Sequence, residues 1–196
     1  MCKFSEDSRQ KLGNAVIYIA NHTEQLSKTK LLKLLFLMEE YMVKRYHVPF
    51  MGLPFEIWQA GPGAKDIFID LSDGPFLLKD FVKTEVQKDA TYIRAIKPFC
   101  DDEFSDCEME MMDEIIRKYG KKTAKQLVAE VHKEGSLWFN AAKKHGLLTA
   151  FNKGLCNNSD YTIDFSEELS DCAREDYKES LAIHQTANIL KAQEHV

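Results

Sequence analysis

"LSKTKLLKLLFLMEEYMVKRYH", residues 26–47, is the stretch that decides the fold. Ser27 is a favoured N-cap type, and Leu31, Leu34, Leu35, Met38, Met42 and Tyr46 recur at three- and four-residue spacing as one helix face. Leu32, Phe36 and Val43 widen that face nearly all round. The segment is therefore expected to run through the core, with only Lys30, Lys33, Glu40 and Lys44 reaching water. A helix apolar on nearly every side needs neighbours on every side, so the rest of the chain reads as its cover.

Upstream, Leu12, Ala15, Val16, Ile19 and Ala20 mark one face of a first helix over residues 5–21. Downstream, Pro49, Gly52 and Pro54 break the chain, and Phe55, Ile57 and Trp58 suit a short strand. "GPGAKDIFIDLSD" follows, with Pro62 set to open a helix that ends near Asp73-Gly74-Pro75. "FVKTEVQKDATYIRAIKP" alternates on both sides of Lys88-Asp89 and predicts a β-hairpin with a loop of three to five residues. "SDCE" at 105–108 has capping-box spacing and launches an acidic helix ending at Gly120. Thr123 and Ser136 cap two more helices, each closed by a glycine, and a last amphipathic helix starts near Ser166. The fold class expected is mainly α (α+β), about six helices around one long central buried helix with a small antiparallel β-hairpin.

The chain has 196 residues, 44% of them hydrophobic, and a formal charge of −5. That length bounds one ordinary core. The acidic balance gives no concentrated basic surface for nucleic-acid phosphates, and no helix-turn-helix pattern is visible. No run of 18 apolar residues occurs and "MCKFSEDSRQ" lacks a signal-peptide layout, so a soluble, cytoplasmic protein is expected. Five cysteines, Cys2, Cys100, Cys107, Cys156 and Cys172, form no CxxC pair and read as reduced thiols.

Chemical motifs are sparse. "GPGAKD" matches neither GxxxxGK[ST] nor GxGxxG, and Pro62 removes an amide donor, so the glycines read as a corner; Lys65 leaves an anion site open there. His132, Glu134 and His145 are the clustered metal or acid–base candidates, but "VHKEG" is not HExxH. The alternative for His132 is a structural ring packed on Trp138. No nucleophile elbow or activated cysteine setting is present, so no enzyme and no cofactor is expected. Residues 101–114 hold eight carboxylates and no base. They read either as a solvated helix start or as a docking face for a basic protein, with Glu108, Glu110 and Glu114 as its contacts.

Two blocks together resemble the Panacea domain of SocA-type antitoxins, also found among phage-associated proteins. The first is the helix with Lys30, Leu31, Lys33, Leu34, Leu35 and Phe36, followed by Trp58, Gly61 and Pro62. The second, "YGKKTAKQLVAEVHKEGSLWFNA", matches through Tyr119, Gly120, Ala124, Leu127, His132, Glu134, Gly135 and Trp138. Ala60 and Gly63 depart from the family's usual aromatic or apolar flanks to Gly-Pro. The resemblance implies a Panacea-like domain over residues 1–146 and an extension over 147–196 packed on it. It also implies an antitoxin that binds and neutralises a toxin protein or, alternatively, an adaptor delivering that toxin to a Clp-type protease. Oligomeric state is left open.

Overall fold

The computed structural model describes residues 4–72, 74–88 and 90–193. Cys2, Asp73 and Asp89 lie outside them. The order is α1 (Glu6–His22), α2 (Lys28–Tyr46), β1 (Glu56–Trp58), β2 (Gly61–Gly63), α3 (Lys65–Asp70), β3 (Val82–Gln87) and β4 (Ala90–Ala95). Then come α4 (Asp106–Tyr119), α5 (Ala124–Val131), α6 (Leu137–Lys144), α7 (Leu147–Asn152), a 3-10 turn (Phe165–Glu168) and α8 (Asp171–Gln193). The protein is mainly α with two small antiparallel hairpins.

α2 is the axis. Ser27 Oγ accepts the Lys30 N–H at 3.2 Å, and His47, in the left-handed region with φ 57°, returns its N–H to Val43 O at 3.1 Å. Between the caps, helix-favouring Leu, Lys, Met and Glu dominate. α1, α4, α5, β2, β4 and the 3-10 turn all pack on it. Leu34, Leu35 and Phe36 are buried, and Phe36 meets Phe55 and Phe165 at ring separations of 5.4 Å each. Burial of a ring such as Phe36 contributes about 2–3 kcal/mol.

Lys30 and Lys33 correct the expectation that both reach water: both are buried, Lys33 at 1% exposure. Glu39 is buried as well. Its Oε1 accepts the N–H groups of Phe50 and Gly52 at 3.1 and 3.2 Å, and its Oε2 that of Met51 at 2.9 Å. The loop after α2 thus hangs on one carboxylate, which burial pushes up to about 7 against the pull of those three bonds.

The glycine corner also differs from expectation. Pro62 does not open a helix: residues 61–63 form β2, paired with β1 in the register Glu56↔Gly63, Ile57↔Pro62, Trp58↔Gly61, and α3 starts at Lys65. The reason lies beyond the corner. β1 is flanked on its other side by residues 157–163, where Ile57 donates to Tyr161 O at 2.9 Å, Gln59 to Asn157 O at 2.9 Å and Ile163 to Phe55 O at 2.8 Å. Ile57 therefore spends its amide away from β2, which puts Pro62 opposite it at a non-hydrogen-bonded edge position, where a missing N–H costs nothing. Residues beyond 146 complete this sheet, and Phe165 joins the central aromatic cluster.

Other departures are local. The second hairpin closes Gln87 on Ala90, leaving two positions between them rather than three to five. α7 was not foreseen, and α8 begins at Asp171, after the 3-10 turn, rather than near Ser166. The caps agree with the sequence: the Glu108 carboxylate takes the Ser105 N–H at 2.9 Å, Thr123 and Gln126 form a capping box, and Ser136 Oγ accepts the Phe139 N–H. Cys100, Cys107, Cys156 and Cys172 are free.

Candidate functional site

The residues shared by the two sequence blocks converge around the β1–β2 hairpin. Pro62 O, at the edge of β2, accepts from Lys33 Nζ at 2.7 Å. That bond satisfies a carbonyl that the sheet leaves open. Burial pulls the Lys33 ammonium down to about 7. Lys30 makes the parallel link one turn earlier, donating from Nζ to Glu24 O at 3.1 Å and Gly120 O at 2.7 Å. The two lysines of the long helix thus hold backbone carbonyls of three other segments.

Gly61 sits where these groups crowd. Its φ is +91°, and a Cβ there would lie 2.8 Å from Lys33 Cε, 2.9 Å from Val131 Cγ2 and 3.4 Å from His132 Nε2. Only glycine meets both the conformation and the space. His132, just past α5, stacks on Trp138 with ring centroids 3.8 Å apart and 9° between planes. Its Nε2 is buried without a hydrogen-bond partner, and burial together with the Lys33 charge pushes the ring down to about 4. Trp138 Nε1 then donates to Trp58 O at 3.0 Å, closing the circuit on the hairpin. Gly135, with φ +85°, turns the chain between α5 and the Ser136 cap.

The metal reading finds no support in this geometry. Glu134 is exposed, and His145 is exposed and stacks on Tyr161 at 4.1 Å, while His132 is committed to Trp138. Among the described residues no group of three or more His, Cys, Asp or Glu could hold a metal ion.

Trp58 turns a second side to the surface. Its ring lies over Gly63, whose Cβ would fall 2.3 Å from it, and edge-on to Phe68 at 5.1 Å. Its Nε1 donates to Glu56 Oε2 at 2.9 Å, and Lys28 Nζ sits 3.7 Å above the Phe68 ring. Trp58, Ala60, Phe68, Ile69 and Asn157 line an open hollow of about 480 Å³, with Lys65 and Asp160 paired at its rim.

The acidic helix is less of a face than its composition implied. Glu108 is 8% exposed, tied to the Ser105 cap and to Lys11 Nζ at 2.5 Å, so it is turned into the fold and away from a docking surface. Glu114 accepts from Tyr41 at 2.7 Å, and Asp113 accepts from Tyr18. Glu110 is exposed. Sequence reasoning missed Glu39 and the hollow. Position 39 falls on the Leu35–Met42 stripe, which is a legible signal; the hollow depends on residues 157–163 arriving beside β1, which is not.

Fold and site together define a mainly helical domain whose small hairpin is clasped by two buried lysines and a histidine–tryptophan stack. The family model for the antitoxin SocA-like Panacea domain matches residues 31–139, and the chain belongs to that family. No curated protein and no solved structure matches it. The family suggests an antitoxin role, non-enzymatic and exercised on a toxin partner. Among the described residues, no helix is long and apolar enough to cross a membrane.

Proposed function

We propose that this protein is an antitoxin that neutralises a cognate toxin protein by binding it directly, and that the toxin seats an apolar side chain in the hollow over Trp58. Family membership supports the role. The observation that carries the location is the Trp58–Phe68 pair: two rings held edge to face at the floor of a concave surface, Trp58 on the hairpin fixed by Lys33 and Trp138 and Phe68 on α3. Rigid aromatic residues in a pre-formed concavity are the usual anchors of an interface, because little side-chain entropy is lost when they are covered. Exposed Glu110 and half-buried Glu114 on α4 add a field that speeds association with a basic partner.

Co-expression with the toxin is the test. The wild-type chain should restore growth and co-purify with the toxin, while Ile69→Arg, a substitution at an exposed residue of the hollow, should weaken the complex at least tenfold with the helical circular dichroism unchanged. Failure of the wild type to bind any toxin overturns the antitoxin reading. Unchanged binding by Ile69→Arg overturns the location alone. A toxin half-life that shortens when the antitoxin is present would replace masking by delivery to a Clp-type protease.

A further inference from the structure

A groove of about 580 Å³ lies between α1, the loop after α2 and α8, and it shares no residue with the hollow over Trp58. Its volume is in the range of small-molecule sites. Leu12, Leu53 and Tyr177, all buried, wall it together with Pro54. Against that carbon wall α8 sets polar residues, among them His184 and Asn188. Polar side chains turned to carbon stabilise nothing by themselves; they suit a ligand that is polar at one end. Both are held in place. Asn188 Oδ1 accepts from Ser8 Oγ at 2.5 Å, and its amide nitrogen lies 3.4 Å from His184 Nδ1. With Nδ1 accepting there, the imidazole carries its proton on Nε2 and offers it as a donor. The ring lies on the loop at Gly52, where φ is +62° and a Cβ would stand 3.0 Å from Nδ1, so glycine serves both the turn and the ring.

Charge gives the groove a pole. Lys11 is its cation, and among the described residues no Asp or Glu lines it. Glu108 holds Lys11 from outside the groove, Oε1 to Nζ at 2.5 Å, while its Oε2 serves the Ser105 cap. An ammonium has three donors, so that one contact does not exhaust it. We propose that the groove binds a small apolar carboxylic acid, its carboxylate taken by Lys11 Nζ and His184 Nε2 and its hydrocarbon body laid along Leu53, Pro54 and Tyr177. A carboxylate accepts from both donors and brings the negative charge that the lining lacks. An alcohol would leave the charge unanswered, and an amine would be repelled by Lys11. Burial, and then the Lys11 charge, push the free His184 ring below its ordinary value against the opposing pull of Glu108. A bound carboxylate favours the imidazolium, so binding takes up a proton there. The charges that reach the ring are Lys11 from α1 and Glu108 from α4; the loop at 51–54 brings none, and α8 itself sets Gln185, Asn188 and Tyr177 in the same groove, the last with its hydroxyl kept protonated by burial.

Calorimetric titration of the full chain with octanoate tests this, with octanol and octylamine as controls. Octanoate should saturate one site and bind at least tenfold tighter than either control, and its affinity should rise as pH falls from 8 to 6. Lys11→Gln should weaken octanoate at least tenfold. Because that change leaves Glu108 without its partner, His184→Gln is the second variant: the ring is half-buried, the helical circular dichroism should stay unchanged, and the pH dependence should vanish. Absence of saturable octanoate binding overturns the proposal. So does octanol binding as tightly as octanoate, which would mean a merely greasy groove, or octanoate binding and pH dependence indifferent to His184→Gln. A groove that the toxin alone occupies, seen as Ile189→Arg abolishing toxin binding in a chain that takes no octanoate, overturns it as well.

Discussion

α2 and α8 are the two longest helices, and they handle charge in opposite ways. α2 buries Lys30, Lys33 and Glu39 inside the core, while α8 leaves Ile183, Ile189 and Leu190 outside it. The difference teaches that burial follows what each position has to satisfy, not side-chain polarity alone. α2 runs past backbone groups that neither hairpin nor helix pairs: the Pro62, Glu24 and Gly120 carbonyls and the amides of residues 50–52. Long charged side chains reach them and offset their own desolvation by satisfying backbone that would otherwise be orphaned. α8 buries Ala173 and Tyr177 on its inner side, while among the described residues its outer side leaves Ile183 and Leu190 largely exposed.

The contrast can be broken most severely at Gly61. Gly61→Val forces a β-branched residue into φ +91° and drives its side chain into Lys33 and Val131. A loss of more than about 3 kcal/mol is expected, combining backbone strain with overpacking, and urea denaturation would read it. A variant as stable as the wild type would show that the clasp is not tight.

Lys33 comes next. The unfolded chain has an ordinary lysine and holds more protons than the fold, where Lys33 titrates near 7, so wild-type stability should rise with pH from 7 to about 10 through this group. Lys33→Met removes that rise and strands Pro62 O. The variant should be weaker by about 1–3 kcal/mol at pH 9, and the gap should narrow towards pH 7, where the wild type must bury the charge. Urea midpoints at pH 7, 8 and 9 measure the difference.

Glu39 runs the other way. Its folded value near 7 lies above the ordinary 4.5, so the fold holds the extra proton and this contribution falls as pH rises from 4.5 to 7. Glu39→Gln sets an amide donor against loop amides that a carboxylate accepts. A deficit of about 1 kcal/mol at pH 5 that shrinks by pH 7 is expected, again from urea midpoints. The smallest effect belongs to α8: Ile183→Glu should change monomer stability by less than about 0.5 kcal/mol, because that side chain is 63% exposed. A large loss there would mean that α8 carries the fold as α2 does.

These cases mark where the sequence was legible. Ser27, Ser105, Thr123 and Ser136 announced helix starts correctly because a cap is a local transaction between a side chain and an amide two or three residues on. The stacking of His132 on Trp138 was legible as the structural alternative for that histidine. Lys33 was misread because helical spacing says which residues share a face, not which carbonyl will stand across from it. The cap made by Glu108 was legible in "SDCE", whereas its ion pair with Lys11 was not, because residue 11 is distant in sequence.

By itself, then, the sequence determined a mainly helical chain with a buried central helix, its caps, the hairpin around Lys88 and its family, since all of these rest on short-range periodicity and adjacent residues. Only the tertiary structure decided that Gly61-Pro62 is an edge strand, that Lys30 and Lys33 are its clasp and its neighbour's, that Trp58 floors a hollow and that Ile183 and Leu190 of α8 stay exposed. Each of those depends on a segment distant in sequence arriving alongside: residues 157–163 on β1, Lys33 beneath Pro62, Ser8 against Asn188. Hydrogen-bond demand is a property of the assembled backbone, and it exists only once the chain has folded.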